Sequence, residues 1–403
     1  MGYPYKNTIT LSEAEDRQGG PLAFNLMVKP VGSVCNLGCR YCYYLDKSEI
    51  YGGVQPKMSV DMLETVVREY IAANDVPEIT FCWHGGEPLL MELDFYRKAV
   101  EFQKKYADGK TIHNSLQTNG TLITPETAMF FSKNDFLIGI SIDGPEEIHD
   151  NFRRDRRDRP TFDVVMNGLQ LLVEYNVEFN TLTAVSHMSE NRGLEVYDFL
   201  KSVGSRYMQF MPVVEYVRYL NGRPYIVSPS HPDAVRADWS VSSFGFGRFM
   251  CDIFDFWVSH DVGKYFVSLF DATLANHCGI QPGMCVHAAT CGGNLVVEHN
   301  GDVYPCDHFV YPEYRLGNLT GTTLRNMAAS EIQHSFGLDK RNRLPAKCCS
   351  CRYGGLCHGE CPKHRFDRTD AGDAGLSSLC SGYHMFFEHT EPYMLQMKKL
   401  LKV

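Results

Sequence analysis

The stretch Cys35–Tyr44, CNLGCRYCYY, places three thiols within eight residues, directly after the apolar run AFNLMVKPVGSV at 23–34. A structural zinc ion is closed by four ligands, usually two cysteine pairs, whereas Cys-x3-Cys-x2-Cys supplies three with no fourth nearby. A four-iron cluster on three thiolates keeps one iron open to a small chelating molecule, and open coordination is what chemistry requires. If the apolar run is a strand, the thiols stand in the loop after it, at the catalytic end of a barrel of parallel strands. The competing reading is a zinc knot completed by a distant residue.

Outward from this loop, short apolar runs alternate with amphipathic segments. Strand candidates are Phe24–Lys29, Ile79–Trp83, Ile112–Gln117, Leu137–Asp143, Phe179–Val185 and Tyr207–Val213. Between them, Met62, Leu63, Val66, Val67, Tyr70 and Ile71 form one helical stripe. A second helix begins at TPETAMFF, with Thr124 as N-cap and Pro125 at the first helical position, and a third covers Phe162–Tyr175. Six strand-then-helix units predict an α/β fold, an open partial (β/α)6 barrel, because a closed barrel needs eight. After residue 214 the pattern changes, and FGRFMCDIFDFWVSH reads as a helix leading into Cys-rich sequence. The expected organisation is an N-terminal extension at 1–23, the barrel at 24–214, a bridging helical region at 215–282, a metal-rich domain at 283–382 and a C-terminal helix at 383–403.

Composition narrows the class. Of 403 residues, 44% are hydrophobic and 22% charged, which is ordinary for a globular protein. A net charge of −9 disfavours nucleic acid and membrane surfaces as partners. The basic run FRRDRRDR at 152–159 reads as a solvated loop. No apolar run of membrane-spanning length occurs and the N-terminus is unlike a signal peptide, so a cytoplasmic protein is expected.

Fifteen cysteines are many for a reducing compartment, where clustered thiols bind metal more often than they pair. Ten lie between 278 and 380. Cys291 and Cys306 fit Cys-x9-Gly-x4-Cys through Gly301, and Cys348, Cys351, Cys357 and Cys361 read Cys-x2-Cys-x5-Cys-x3-Cys, followed by Cys380. With Cys285 these make eight thiols, enough for two fully ligated four-iron clusters, with four-thiolate zinc sites as the alternative. Cys82, Cys251, Cys278 and Cys349 are left over as buried or incidental thiols.

The three-cysteine signature resembles that of the radical S-adenosylmethionine (SAM) enzymes. The resemblance implies a [4Fe-4S] cluster on Cys35, Cys39 and Cys42, with Tyr41 near the adenine. It extends to WHGGEPLL, where Gly85, Gly86 and Glu87 with Pro88 would receive the SAM amino group, although His84 stands where similar maturases often carry Gln. Through SLQTNGTLI and GISIDGPEEIHDNFR it places Ser141 and Arg153 on the SAM ribose and carboxylate, and Val214 at the adenine. The later cysteines resemble the SPASM extension, which implies one auxiliary cluster on Cys285, Cys291, Cys306 and Cys361 and a second on Cys348, Cys351, Cys357 and Cys380.

CGGNLVVEHNGDVYPCDHFV and CYYLDK are most similar to the anaerobic sulfatase-maturating enzymes, and the likeness runs from the first strand to Cys380. It implies three [4Fe-4S] clusters, SAM, and oxidation of a sulfatase Cys or Ser to formylglycine. The 5′-deoxyadenosyl radical would take a hydrogen from the target β-carbon, an auxiliary cluster the electron, and Asp307 the proton. Tyr44 would lie by the bound peptide. Implied partners are an unfolded or nascent sulfatase carrying Cys/Ser-x-Pro-x-Arg and an electron donor such as flavodoxin or ferredoxin. Two alternatives stay open. One is a peptide maturase making thioether or carbon-carbon crosslinks, disfavoured because only about 23 residues precede the first strand, too few for a docking domain. The other is a non-catalytic iron-sulfur electron carrier, which needs neither an open cluster nor six barrel units.

Overall fold

The computed structural model describes residues 22–44, 47, 50–51, 57–227 and 231–401. The N-terminal extension therefore falls, apart from residues 22 and 23, outside the described residues. Six strands are found where six were expected: β1 (Asn25–Lys29), β2 (Glu78–Trp83), β3 (Thr111–Thr118), β4 (Phe136–Ser141), β5 (Phe179–Val185) and β6 (Tyr207–Pro212). They lie side by side in sequence order and all pair in parallel. The connecting helices include Val60–Ala73, Leu93–Tyr106, Pro125–Lys133, Phe162–Glu174 and Gly193–Ser202.

The helix Val60–Ala73 shows how sequence becomes layer. Ser59 caps it by accepting the Met62 N–H at 3.1 Å, and its stripe of Leu63, Val66, Val67, Tyr70 and Ile71 is buried. That stripe meets Leu26 and Val28 of β1 and Phe81 and Trp83 of β2 in one core, each side chain worth about 1.5–3 kcal/mol when taken from water. Thr124 and Pro125 start the fourth-strand crossover helix with a capping box, as expected.

Two features differ from expectation. First, β1 is not an edge: Asn294–Glu298 pairs with it in parallel, in register from Asn25↔Asn294 to Lys29↔Glu298. Asp302–Tyr304 and Gly317–Asn318 follow antiparallel, and Phe266–Val267 joins β6 at the far side, so one ten-stranded sheet crosses the boundaries expected at 214 and 283. Asn294–Glu298, NLVVE, is a short apolar run bounded by Gly-Gly and Asn-Gly, and its periodicity names no partner. Second, the bridging region is not purely helical. Besides the helices Ser243–His260 and Ser268–His277 it holds a three-stranded antiparallel sheet of Arg223–Ile226, Tyr216–Leu220 and Val235–Arg236. Asn221 and Gly222, both left-handed at φ 51° and 77°, make the tight hairpin turn that an Asn-Gly pair encodes. The C-terminal helix starts at Cys380 rather than near 383, and this thiol stands in its first turn. Among the described residues no helix is long and apolar enough to cross a membrane.

Candidate active site

All six barrel strands deliver their following loops to one end of the sheet. The loop after β1 carries Cys35, Cys39 and Cys42, and the Gly85–Glu87 segment after β2 is laid against it: the Gly86 N–H donates to the Gly32 carbonyl at 2.8 Å and the Glu87 N–H to the Val34 carbonyl at 2.9 Å. A Cβ on Gly86 would collide with the Val34 carbonyl, so only glycine allows this approach. Gly86→Ala is therefore expected to displace the cysteine loop and cost about 1–3 kcal/mol, read as a lowered melting temperature.

Glu87 is fully buried, and both its carboxylate oxygens are taken, by the Leu89 N–H (2.9 Å) and Thr118 hydroxyl (2.8 Å) on one and the Asn119 N–H (2.8 Å) on the other. Burial pushes its pKa up to about 7 against the pull of these donors. Its side chain thus ties the β2 and β3 loops together. Asn119, which sequence reasoning did not single out, extends the tie: its Nδ2 reaches Asn36 Oδ1 at 2.9 Å and the Cys35 sulfur at 3.6 Å.

The basic run at 152–159 is not a free solvated loop. The Gly38 N–H donates to the Arg154 carbonyl (2.8 Å), and Arg156 Nε to the Cys35 carbonyl (2.7 Å), so the run backs the cysteine loop. Arg153 is 7% exposed and pairs with Asp143 at 3.0 Å. Asp143 also accepts the Tyr41 hydroxyl and, at 3.0 Å, the Ala184 N–H. Tyr41 and Arg153 therefore meet on a carboxylate two residues past β4. Asp143→Ala would strand a buried guanidinium and is expected to cost about 3–5 kcal/mol, read as a lowered melting temperature. Ser141 accepts from Gln117 Nε2 at 3.0 Å. The apolar cluster around Tyr41 and Phe152 includes the side chain of Val213, whereas Val214 packs into the main core, since successive residues of an extended chain point to opposite faces.

Asp307 arrives by way of the added strands. Asn294–Glu298 runs beside β1, the hairpin returns through Asp302–Tyr304, and Cys306 and Asp307 emerge at the C-terminal end of β1. There the Asp307 carboxylate accepts hydrogen bonds from Lys29 Nζ and from the Tyr43 hydroxyl. Burial is the largest single influence and would raise its pKa, but Lys29, His84 and His308 together outweigh it and hold the carboxyl well below the usual carboxylate range. His84 is beside this pair. Its Nδ1 accepts the Gly85 N–H at 2.7 Å, and burial lowers its pKa to about 4, so the ring is neutral. Tyr44, expected at the peptide, is instead 3% exposed: its hydroxyl donates to Glu298 and its ring lies 3.3 Å under Lys29 Nζ. Lys29 and Tyr43 went unnoticed in the sequence. The available signal was a lysine ending an apolar strand at the catalytic end, 0% exposed.

The thiols sort into three groups. Burial, the largest cause, pushes the Cys35 thiol up to about 11 and the Cys39 thiol up to about 12, with Cys42 adding to both. Burial is also the largest cause that pushes up Cys306, with Cys285 and Cys291 adding to it, and Cys361, with Cys306 and Cys291 adding; it likewise raises Cys348 and Cys357, with Cys380 adding to both, and Cys380, with Cys351 adding. Buried thiols this close cannot ionise together without cationic metal, so the donor sets fit thiolate-bound iron. Among the described residues no three His, Cys, Asp or Glu side chains close around a single metal ion. Of the leftover thiols, Cys251 is buried, Cys82 and Cys278 are half-buried and Cys349 is exposed.

Comparison with known proteins accords with this arrangement. Residues 30–200 match the radical SAM superfamily and residues 289–352 the SPASM iron-sulfur cluster-binding domain. A parallel six-strand barrel with a three-thiol loop, joined to such a domain, makes this a radical SAM protein with a SPASM extension. The chain is 49% identical over 379 residues to the serine-type anaerobic sulfatase-maturating enzyme of Bacteroides thetaiotaomicron, covering 93% of this chain and 91% of that one. It is 31% identical to the cysteine-type enzyme of Clostridium novyi, covering 94% and 98%. The solved structure of native anSMEcpe with bound AdoMet and Cp18Cys peptide superposes with a TM-score of 0.82 at 30% identity, over 94% of this chain and 99% of that one. The chain belongs to the anaerobic sulfatase-maturating enzyme family.

Proposed function

We propose that this protein oxidises the target serine of a sulfatase to formylglycine, turning the seryl CH2OH into CHO. The observation that carries the reading is Asp307, an ionised carboxylate fixed by Lys29 and Tyr43 where the barrel's catalytic end meets the auxiliary cysteine Cys306. The serine preference rests on the 49% identity to a serine-type relative against 31% to a cysteine-type one.

Cys35, Cys39 and Cys42 would hold the radical SAM cluster, Cys285, Cys291, Cys306 and Cys361 the first auxiliary cluster, and Cys348, Cys351, Cys357 and Cys380 the second. With SAM, the first cluster supplies the 5′-deoxyadenosyl radical. The backbone of Gly85–Glu87 would receive the SAM amino group, Arg153 and Ser141 the carboxylate and ribose, and Tyr41 with the chain at Val214 would border the adenine. Tyr44 props Lys29 from below. The serine loses one hydrogen atom to the radical, one electron towards the auxiliary side and one proton to Asp307. Loss of the electron leaves a protonated aldehyde, which is strongly acidic, so a carboxylate of low pKa is base enough. The partners fitting this chemistry are an unfolded or nascent sulfatase with a Ser-x-Pro-x-Arg motif and a flavodoxin- or ferredoxin-class donor, in the cytoplasm.

The test uses two peptides, identical except for Ser or Cys at the target and deuterated at its β-carbon. Faster conversion of the serine peptide, with one deuterium recovered in 5′-deoxyadenosine, is the expected result. Conversion of the cysteine peptide alone would overturn the serine preference, and deuterium-free 5′-deoxyadenosine would overturn the hydrogen abstraction.

A further inference from the structure

Between Cys357 and Cys361 the chain passes through three consecutive left-handed residues, His358, Gly359 and Glu360, at φ 49°, 70° and 59°. Such residues cost about 1–3 kcal/mol each when not glycine, so something must hold them. This loop is also the shortest covalent path between the two groups of four thiols.

Arg365 is what holds it. Its guanidinium, 9% exposed, donates from Nε to the Gly359 carbonyl (2.6 Å), from Nη2 to the carbonyls of His358 (2.7 Å) and Glu360 (3.0 Å), and from Nη1 to the Lys340 carbonyl (2.5 Å). A Cβ on Gly359 would stand 2.2 Å from Leu344 Cδ2 and 2.7 Å from Arg365 Nη2, so the glycine makes room for both side chains. The nearby Glu360 carboxylate is engaged by His364 (2.8 Å) and Ser377 (3.0 Å). The hydrogen bonds of Arg365 thus go to neutral carbonyls, and its charge acts first on the Glu360 carboxylate and then on Cys348 and Cys357 of one group and Cys291 of the other.

We propose that Arg365 is a positioning residue whose buried charge is shared by the two auxiliary clusters and raises the reduction potential of both, while its fork fixes the Cys357–Cys361 link. The proposal rests on the assignment of those eight thiols to two four-iron clusters. Each cluster gains one electron on reduction and becomes more negative by one charge, with no bond made or broken. A fixed cation in a poorly screened interior favours that state.

The experiment is an anaerobic redox titration of the reconstituted holoenzyme, followed by electron paramagnetic resonance, for the native protein, R365Q and R365K. In R365Q the reduced-to-oxidised ratio of the auxiliary clusters at fixed potential should fall at least tenfold, which is 59 mV for a one-electron couple, with the radical SAM cluster unmoved. R365K, which keeps the charge, should stay near the native values. R365Q with full auxiliary iron and unshifted potentials would overturn the proposal. If R365Q does not retain auxiliary iron, R365K decides: native-like potentials support the charge effect, and a tenfold fall despite the retained charge refutes it. Failure of the underlying assignment looks different, as native protein that binds only about four irons.

Discussion

Asp307→Asn is expected to lower aldehyde formation by about 10²–10⁴-fold, the range lost when a positioned base is removed, while SAM cleavage continues. The amide keeps the shape of the carboxylate but cannot take the proton. Hydrogen abstraction precedes proton loss, so 5′-deoxyadenosine should still form, uncoupled from product. The substitution also removes the counter-ion of Lys29, a fully buried lysine. Breaking a buried pair costs about 3–5 kcal/mol, part of it returned by the Tyr44 ring under the ammonium. Iron content and melting temperature must accompany the assay, and Lys29→Met/Asp307→Asn, which removes both charges, should recover stability without recovering aldehyde. Product within tenfold of the native yield in a fully iron-loaded Asp307→Asn protein would remove Asp307 from the chemistry.

The second large effect concerns the loop after β1. Replacing Cys35, Cys39 and Cys42 together by Ala should abolish SAM cleavage, because the open iron that chelates SAM has no other thiolates to hold it. Iron should fall from about twelve to about eight per chain, since the remaining eight thiols lie on other elements. The Asn294–Glu298 hairpin pairs with β1 upstream of the cysteine loop, so the auxiliary side should keep its iron. Residual 5′-deoxyadenosine from the triple variant would contradict the assignment of the SAM-binding cluster.

The six barrel strands were legible to within a residue or two because each is a short run with buried residues at alternate or successive positions, separated from the next by a helical stripe, Phe179–Val185 being read without error. Thr124 and Pro125 announced their helix through local capping chemistry alone. What stayed hidden depended on distant partners. Nothing in NLVVE says that it pairs with β1, and that pairing is what carries Asp307 to Lys29. Asp143 looks like any turn aspartate until Arg153 and Tyr41 converge on it. Tyr43 and Tyr44 are adjacent aromatics in the sequence, and only the folded chain shows that Tyr43 reaches Asp307 and Tyr44 reaches Glu298. The Asn221–Gly222 hairpin, by contrast, carried a sufficient local signal that was passed over in favour of helix.

The most direct test of the account is mass spectrometry, with aldehyde capture by a hydrazide, on a Ser-x-Pro-x-Arg peptide incubated anaerobically with the reconstituted protein, SAM and reductant. The expected product is a peptide that has lost two hydrogens and reacts with the hydrazide. SAM cleaved to 5′-deoxyadenosine beside an unchanged peptide, with serine and cysteine targets alike, would contradict it.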